Sequence, residues 1–267
     1  MKIFLKIIGF IFGSYIVICV LLYFFQENII FMPEKLRADH KFQFYQEFEE
    51  ISIKTKDNTI LNGVLFKAKQ SKGLMFYLHG NAGSLDTWGN VAPTYTDLGY
   101  NVFLLDYRGY GKSEGTINNE NKLYEDNQMV YNEIKKRYSE DKIIVLGYSI
   151  GTGMASKLAA SNAPKLVILQ APYFNLPDLM KHTYSFIPTA LLKYKLPNNE
   201  DINQCKVPVV IFHGNNDRVI YYESSLKLQK EFKEKDTLIT IPGQGHNLMS
   251  DNLFYVNMLK LVLEKHK

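Results

Sequence analysis

The chain has 267 residues, 46% of them hydrophobic, and a net charge of +4 at neutral pH. That supplies one large domain plus a short extra element, and the basic residues are scattered without a basic stripe interleaved with aromatics, so nucleic-acid binding has no support. Of the two cysteines, Cys19 lies in an apolar run and Cys205 deep in the rest of the chain; neither has metal-ligand spacing and they are not expected to pair.

Residues 7–25 carry no charge and are rich in Ile, Val, Leu and Phe. At about 1.5 Å per residue, a helix of that length approaches the ~30 Å hydrocarbon thickness of a bilayer. Lys2 and Lys6 flank one end, and Tyr23, Phe24 and Phe25 the other. A cleavable signal peptide competes with this reading. The run is long for one, Phe25-Gln26-Glu27 offers no small-residue cleavage site, and Ile18 before Cys19 does not suit lipoprotein processing. A buried core helix is the third possibility, although hydrophobicity all round is unusual ahead of a globular domain. The expected organisation is a transmembrane anchor over 1–26, a juxtamembrane linker over 27–46 and an α/β domain over 47–267. The linker is expected to lay Ile29, Ile30 and Phe31 on the domain. Lys2 and Lys6 favour a cytoplasmic N-terminus and a domain on the non-cytoplasmic side, while Lys35, Arg37 and Lys41 pull the other way.

Residues 48–55 and 59–67 alternate apolar and polar around the Asp57-Asn58 turn signal, which predicts a hairpin. Residues 73–78 form a continuous apolar run, the pattern of a strand buried on both faces. The loop His79-Gly80-Asn81-Ala82-Gly83-Ser84 leads into a helical stretch to about Leu98. A strand over 101–105, a helix over 122–138, and a strand with its following helix over 142–160 come next. Residues 165–169 read as another strand. Residues 172–200 hold short apolar clusters broken by Pro177, Pro188 and Pro197, an excursion of small helices. A strand over 207–212, a helix over 221–232, a strand over 237–241 and an amphipathic helix over 253–264 close the chain. Strands alternating with helices imply a mostly parallel, doubly wound sheet led by an antiparallel hairpin.

Within 142–160, a β-branched strand runs into Gly147-Tyr148-Ser149-Ile150-Gly151 and then into small residues at helical spacing. That is the strand, sharp turn and helix of a nucleophile elbow, with Ser149 at its tip. The pattern G-x-S-x-G also occurs at Gly111-Lys112-Ser113-Glu114-Gly115, but Ser113 follows a glycine-rich loop and no helix starts after it. A phosphate-binding loop at Lys112 would need glycine where Asp106 stands. A serine hydroxyl needs a base within hydrogen-bond reach, and functional residues of parallel sheets gather at the carboxyl ends of strands. Three further strand ends carry polar groups: His213 to Asp217, His246 after two glycines, and His79-Gly80-Asn81. Asp217 is suited to orient an imidazole and His246 to reach the serine, whereas His79 and His213 precede glycines where a histidine braces a loop.

The order Ser149, Asp217, His246 and the motifs LHGNAGS (78–84), DYRGYGKSEG (106–115), GYSIGTG (147–153), HGNNDRVI (213–220) and GQGHN (243–247) resemble those of the alpha/beta-hydrolase fold. The resemblance covers about residue 48 to the end of the chain. With the N-terminal span, the chain is similar to small membrane-anchored serine hydrolases of that superfamily. The resemblance implies an alpha/beta-hydrolase fold with a Ser149–His246–Asp217 triad, an oxyanion hole from the Ile150 and Asn81 N–H groups, and no metal or organic cofactor. The excursion over 173–200 is expected to form a small helical cap that sets specificity, with Tyr148, Phe174, Leu179 and Phe186 as substrate-binding residues. Its apolar content, with only Asp178 and Glu200 as acids, favours a carboxylic ester or thioester over a peptide. A serine peptidase or amidase of the same fold, or a non-catalytic membrane-tethered binding module, remain open. The expected partners are a small or lipid-like acyl substrate and the membrane.

Overall fold

The computed structural model describes residues 1–266; Lys267, the last residue of the expected domain, lies outside the described residues. One eight-stranded sheet carries the domain, in the order β1-β2-β4-β3-β5-β6-β7-β8. Its strands are β1 (Phe48–Lys54), β2 (Ile60–Phe66), β3 (Leu74–Leu78), β4 (Asn101–Leu105), β5 (Ile143–Tyr148), β6 (Leu166–Gln170), β7 (Val209–Gly214) and β8 (Thr237–Ile241). β1, β2 and β4 pair antiparallel, and every pair from β4 through β8 is parallel. Every residue of β3, β5, β6 and β7 is buried. The apolar runs follow from that position, since a strand covered on both faces has no wet side to keep polar.

The chain passes from β3 to β4 on one side and returns to β5 on the other. β3 and β5 therefore flank the point where the winding reverses, and the loops at their carboxyl ends part there to leave a crevice. One face of the sheet packs on α4 (Glu120–Ile134) and α5 (Gly151–Ser161), with Val130, Ile134, Met154 and Leu158 in the shared core. The other face packs on α3 (Ala92–Thr96) and α9 (Leu253–Lys265), through Tyr95, Tyr255 and Leu259.

Several expected boundaries differ. The helix anticipated up to Leu98 is broken into α2 (Leu85–Trp88), a 3-10 turn at Gly89–Val91 and α3. Pro93 supplies no N–H to bond back to the preceding turn, and a side chain at Gly89 would run into the Phe44 ring. The helix expected over 221–232 is α8 (Glu223–Leu228) followed by a 3-10 turn. The excursion after β6 forms α6 (Leu176–Thr183), a 3-10 turn at Thr189–Leu191 and α7 (Asn198–Gln204).

The N-terminal helix α1 (Lys2–Ile30) extends beyond the predicted 1–26 and is long and apolar enough to cross a membrane. It stops where Met32 takes φ +49° ahead of Pro33. Of the three residues expected to lie on the domain, Phe31 is buried and Ile30 packs partly against the core, but Ile29 points outward at 56% exposure. After α1 the chain forms a strap: Pro33 bridges to Gly83 and Lys35 to Gly111, and the Phe31 carbonyl accepts from Tyr110 Oη and from Ala82 N–H at 2.8 Å.

Candidate active site

Only Ser149 and Ile150 separate β5 from α5, so the turn has no slack. Ser149 takes φ +54°, a left-handed conformation that costs a non-glycine residue on the order of 1–3 kcal/mol. Its backbone is pinned by Ser149 N–H to Gln170 O at 2.9 Å and Thr152 N–H to Ser149 O at 3.0 Å. A Cβ on Gly147 would come within 2.7 Å of Ala155 Cβ, and one on Gly151 would run into the carbonyls of Leu78 and His79. The two glycines thus let β5, α5 and the end of β3 close on one another.

Ser149 Oγ lies 3.0 Å from His246 Nε2, and His246 Nδ1 lies 2.7 Å from Asp217 Oδ2. All three residues are nearly buried, at 5%, 9% and 8% exposure. Asp217 follows β7, and its Oδ1 accepts Val219 N–H at 2.8 Å and Ile220 N–H at 2.9 Å. Burial pushes the Asp217 carboxyl up; hydrogen bonds from His213 and His246, the His246 charge and Ile220 N–H outweigh it, holding the group well below the usual carboxylate range. His246 follows β8 through Gly243, at φ +70°, and Tyr148 Oη donates to its carbonyl at 2.5 Å. His213 is a contributor that its position in the sequence did not reveal. Its Nε2 lies 3.0 Å from the Ile220 carbonyl and 3.3 Å from Asp217 Oδ2, so it supports the carboxylate as well as bracing the loop.

Asn81 sits on the loop after β3, next to the elbow, where Ala82 adopts φ +61°. The loop is held from both sides, by Ala82 N–H to the Phe31 carbonyl and by Trp88 Nε1–H to the Ala82 carbonyl at 3.0 Å. Among the described residues, the N–H groups of Asn81 and Ile150 donate to no protein acceptor. Ile150 immediately precedes α5, at the positive end of that helix's dipole.

The other expected residues fall in different places. Ser113 is buried; its Oγ donates to Asp106 O at 2.6 Å and accepts Asn62 N–H at 2.8 Å. The second G-x-S-x-G is therefore a packed loop. His79 is fully buried among Trp88, Tyr107 and Tyr110, with Nδ1 on the Gly80 carbonyl. Tyr148, expected to bind substrate, has its hydroxyl committed to the His246 carbonyl and its ring against Trp88 and His246, so it holds the His246 loop in place. Phe174 and Leu179 are partly buried against the core beneath the cap. Phe186, expected beside the substrate, is 68% exposed on the cap, and Tyr15 of α1 donates to its carbonyl. Its side chain packs in no interior because the 184–188 turn stands out from the domain along α1. A cavity of about 460 Å³ between α4 and α5 is lined by Lys122, Asp126, Met154 and Lys157 and includes none of Ser149, Asp217 and His246.

The family model described as serine aminopeptidase, S33, matches residues 69–204, more than half of the chain. The chain belongs to that family. The matched stretch of this hydrolase family includes Asn81 and Ser149 and ends before Asp217 and His246. Among curated proteins, the chain is 30% identical over 179 residues to the lysophosphatidylserine lipase ABHD12 of Macaca fascicularis, a match covering 59% of this chain and 45% of that one. The chain thus spans about half the length of the curated relatives it matches. Among solved structures, the alpha/beta hydrolase GrgF from Penicillium sp. sh18 superposes with a TM-score of 0.68 at 16% identity, covering 83% of this chain and 98% of that one. The Pyrococcus furiosus esterase Pf2001 does so with a TM-score of 0.69 at 19% identity, covering 88% and 95%. The fold is that of the alpha/beta hydrolases, as the motifs implied.

Proposed function

We propose that the protein is a membrane-anchored serine hydrolase cleaving a carboxylic ester or thioester with an apolar acyl group. The observation that carries this reading is the unbroken hydrogen-bonded chain from Ser149 Oγ through His246 to Asp217. His246 Nε2 takes the hydroxyl proton as Ser149 Oγ attacks the carbonyl carbon, and Asp217 holds Nδ1–H and offsets the imidazolium charge. The tetrahedral oxyanion accepts from Ile150 and Asn81 N–H, each such donor being worth on the order of 10²–10³ in rate. His246 then protonates the leaving group, and a water activated by the same base releases the acyl enzyme.

The family's description favours an amide substrate, while the relatives' description as lipases favours a lipid-like ester. An aminopeptidase needs an acid to hold the substrate amine, yet Asp178 is tied to Lys227 at 2.6 Å and to Tyr221, and Glu200 is exposed. That balance supports the ester. The length and composition of α1 support an anchor over about 1–26, ahead of the hydrolase domain with its cap over 173–200, and Lys2 and Lys6 favour the non-cytoplasmic side for that domain. A fluorophosphonate probe is expected to label the protein and not its Ser149→Ala variant, and p-nitrophenyl esters to turn over faster than an aminoacyl arylamide. Faster arylamide cleavage would establish the amidase instead, and absence of labelling in the folded protein would leave a binding module.

A further inference from the structure

Two polar side chains of α1, Tyr15 inside its apolar stretch and Gln26 at the end of it, reach the cap. Tyr15 Oη donates to the Phe186 carbonyl at 2.7 Å. Gln26 is buried; its Nε2 donates to the Leu191 carbonyl at 3.0 Å and its Oε1 accepts Lys193 N–H at 2.9 Å. The cap therefore runs beside α1 from Gln26 back to Tyr15. At 1.5 Å per residue, Tyr15 stands roughly 15 Å along the helix from Phe25, the domain-side end of the apolar run. A tilt at the upper end of the usual range, about 40°, still leaves it roughly 11 Å below that end.

The membrane surface cannot sit lower on α1 without wetting Val17, Ile18, Leu21, Phe24 and Phe25, all more than half exposed. Each large apolar side chain moved out of lipid forfeits on the order of 1 kcal/mol or more. The cap segment has the matching character. Residues 183–192 contain no charge and lie between Lys181 and Lys193, with Tyr184 and Phe186 turned outward. Part of its backbone is paired, which lowers the cost of leaving water: Tyr184 N–H bonds to Met180 O, Ile187 N–H to Tyr184 O, Leu191 N–H to Pro188 O and Leu192 N–H to Thr189 O, while α1 serves the carbonyls of Phe186 and Leu191.

We propose that residues 183–192 of the cap are immersed in the bilayer leaflet on the domain side of α1, making the protein a two-point membrane binder. This rests on α1 being a membrane anchor and is independent of the identity of the acyl group. Full-length protein is reconstituted in phosphatidylcholine vesicles with or without dibrominated chains, which quench nearby tryptophan. Three substitutions are compared against the background of Trp88: Phe186→Trp on the cap, Phe12→Trp on α1 and Tyr45→Trp on the domain surface. The expected result is loss of the added emission for Phe186→Trp comparable to that of Phe12→Trp, with Tyr45→Trp unaffected. Quenching of Phe12→Trp alone would overturn the immersed cap and leave the anchor standing. No quenching of Phe12→Trp would overturn both.

Discussion

Asp217→Asn exchanges one carboxylate oxygen for an amide nitrogen at constant shape, and its neighbours dictate which way the amide turns. Asp217 Oδ1 accepts two backbone N–H groups, from Val219 and Ile220. Turning an NH₂ towards them would leave buried donors unpaired, at about 1–3 kcal/mol each, so the amide oxygen stays there. The amide nitrogen then faces His246 Nδ1, at the present 2.7 Å position. A donor at that place requires Nδ1 to accept, which moves the imidazole hydrogen to Nε2, the atom that must take the Ser149 proton. Loss of the correct tautomer lowers kcat by about 10⁴ in a serine triad, close to 5 kcal/mol of transition-state stabilisation. His213 adds a second consequence. Its Nε2 faces the Ile220 carbonyl, which only accepts, so Nε2 carries hydrogen and Nδ1 accepts from Ser225 Oγ–H. That Nε2–H also points towards Asp217 Oδ2, so the variant sets donor against donor and should melt earlier than the native protein. The assay is steady-state hydrolysis of a p-nitrophenyl ester, with a thermal melt to establish folding. A folded Asp217→Asn protein with kcat within tenfold of the native enzyme at neutral pH would refute the reasoning.

Ser113→Ala separates the two G-x-S-x-G copies: it leaves Asn62 N–H buried without an acceptor, so stability should fall by about 1–3 kcal/mol while kcat and fluorophosphonate labelling persist. Loss of labelling in folded Ser113→Ala protein would make Ser113 the nucleophile. Burial pushes the Asp201 carboxyl up to about 6, beside Lys157 at 3.3 Å and with Oδ2 unpaired. The folded protein therefore binds that proton more tightly than the unfolded chain, and this group's contribution to stability falls as pH rises from about 4 to 6. In Asp201→Asn that decline should vanish from the denaturation midpoints, and an unchanged pH profile would count against it. Asp217, held below the ordinary range, acts oppositely: its contribution is present above about pH 4 and is lost at lower pH as the folded group protonates.

The order of elements was legible because a sheet wound on both faces leaves its pattern along the chain. β4 (Asn101–Leu105) and β8 (Thr237–Ile241) begin and end where the apolar runs do. The stretch after β3 reads as one helix in composition, yet it is broken around Gly89 and Pro93, and the space beside Gly89 is taken by Phe44, a residue far away in sequence. Local sequence also placed Ser149, Asp217 and His246 at strand ends. That Ser149 and His246 stand within 3.0 Å, across 97 residues of chain, depends on β5, β7 and β8 lying on one side of the switch point. The roles of Tyr148, His213 and Phe186 were not written locally. A tyrosine hydroxyl looks the same before and after it finds a carbonyl, and Phe186 reads as a pocket wall whether its side chain faces the core or outward. Composition and periodicity thus determined the strands, the helices and the elbow at Gly147–Gly151, since each is set by neighbours in sequence. Which residues surround that elbow, and what packs the second G-x-S-x-G into a loop, was decided by tertiary contacts that place distant hydrogen-bonding groups within reach.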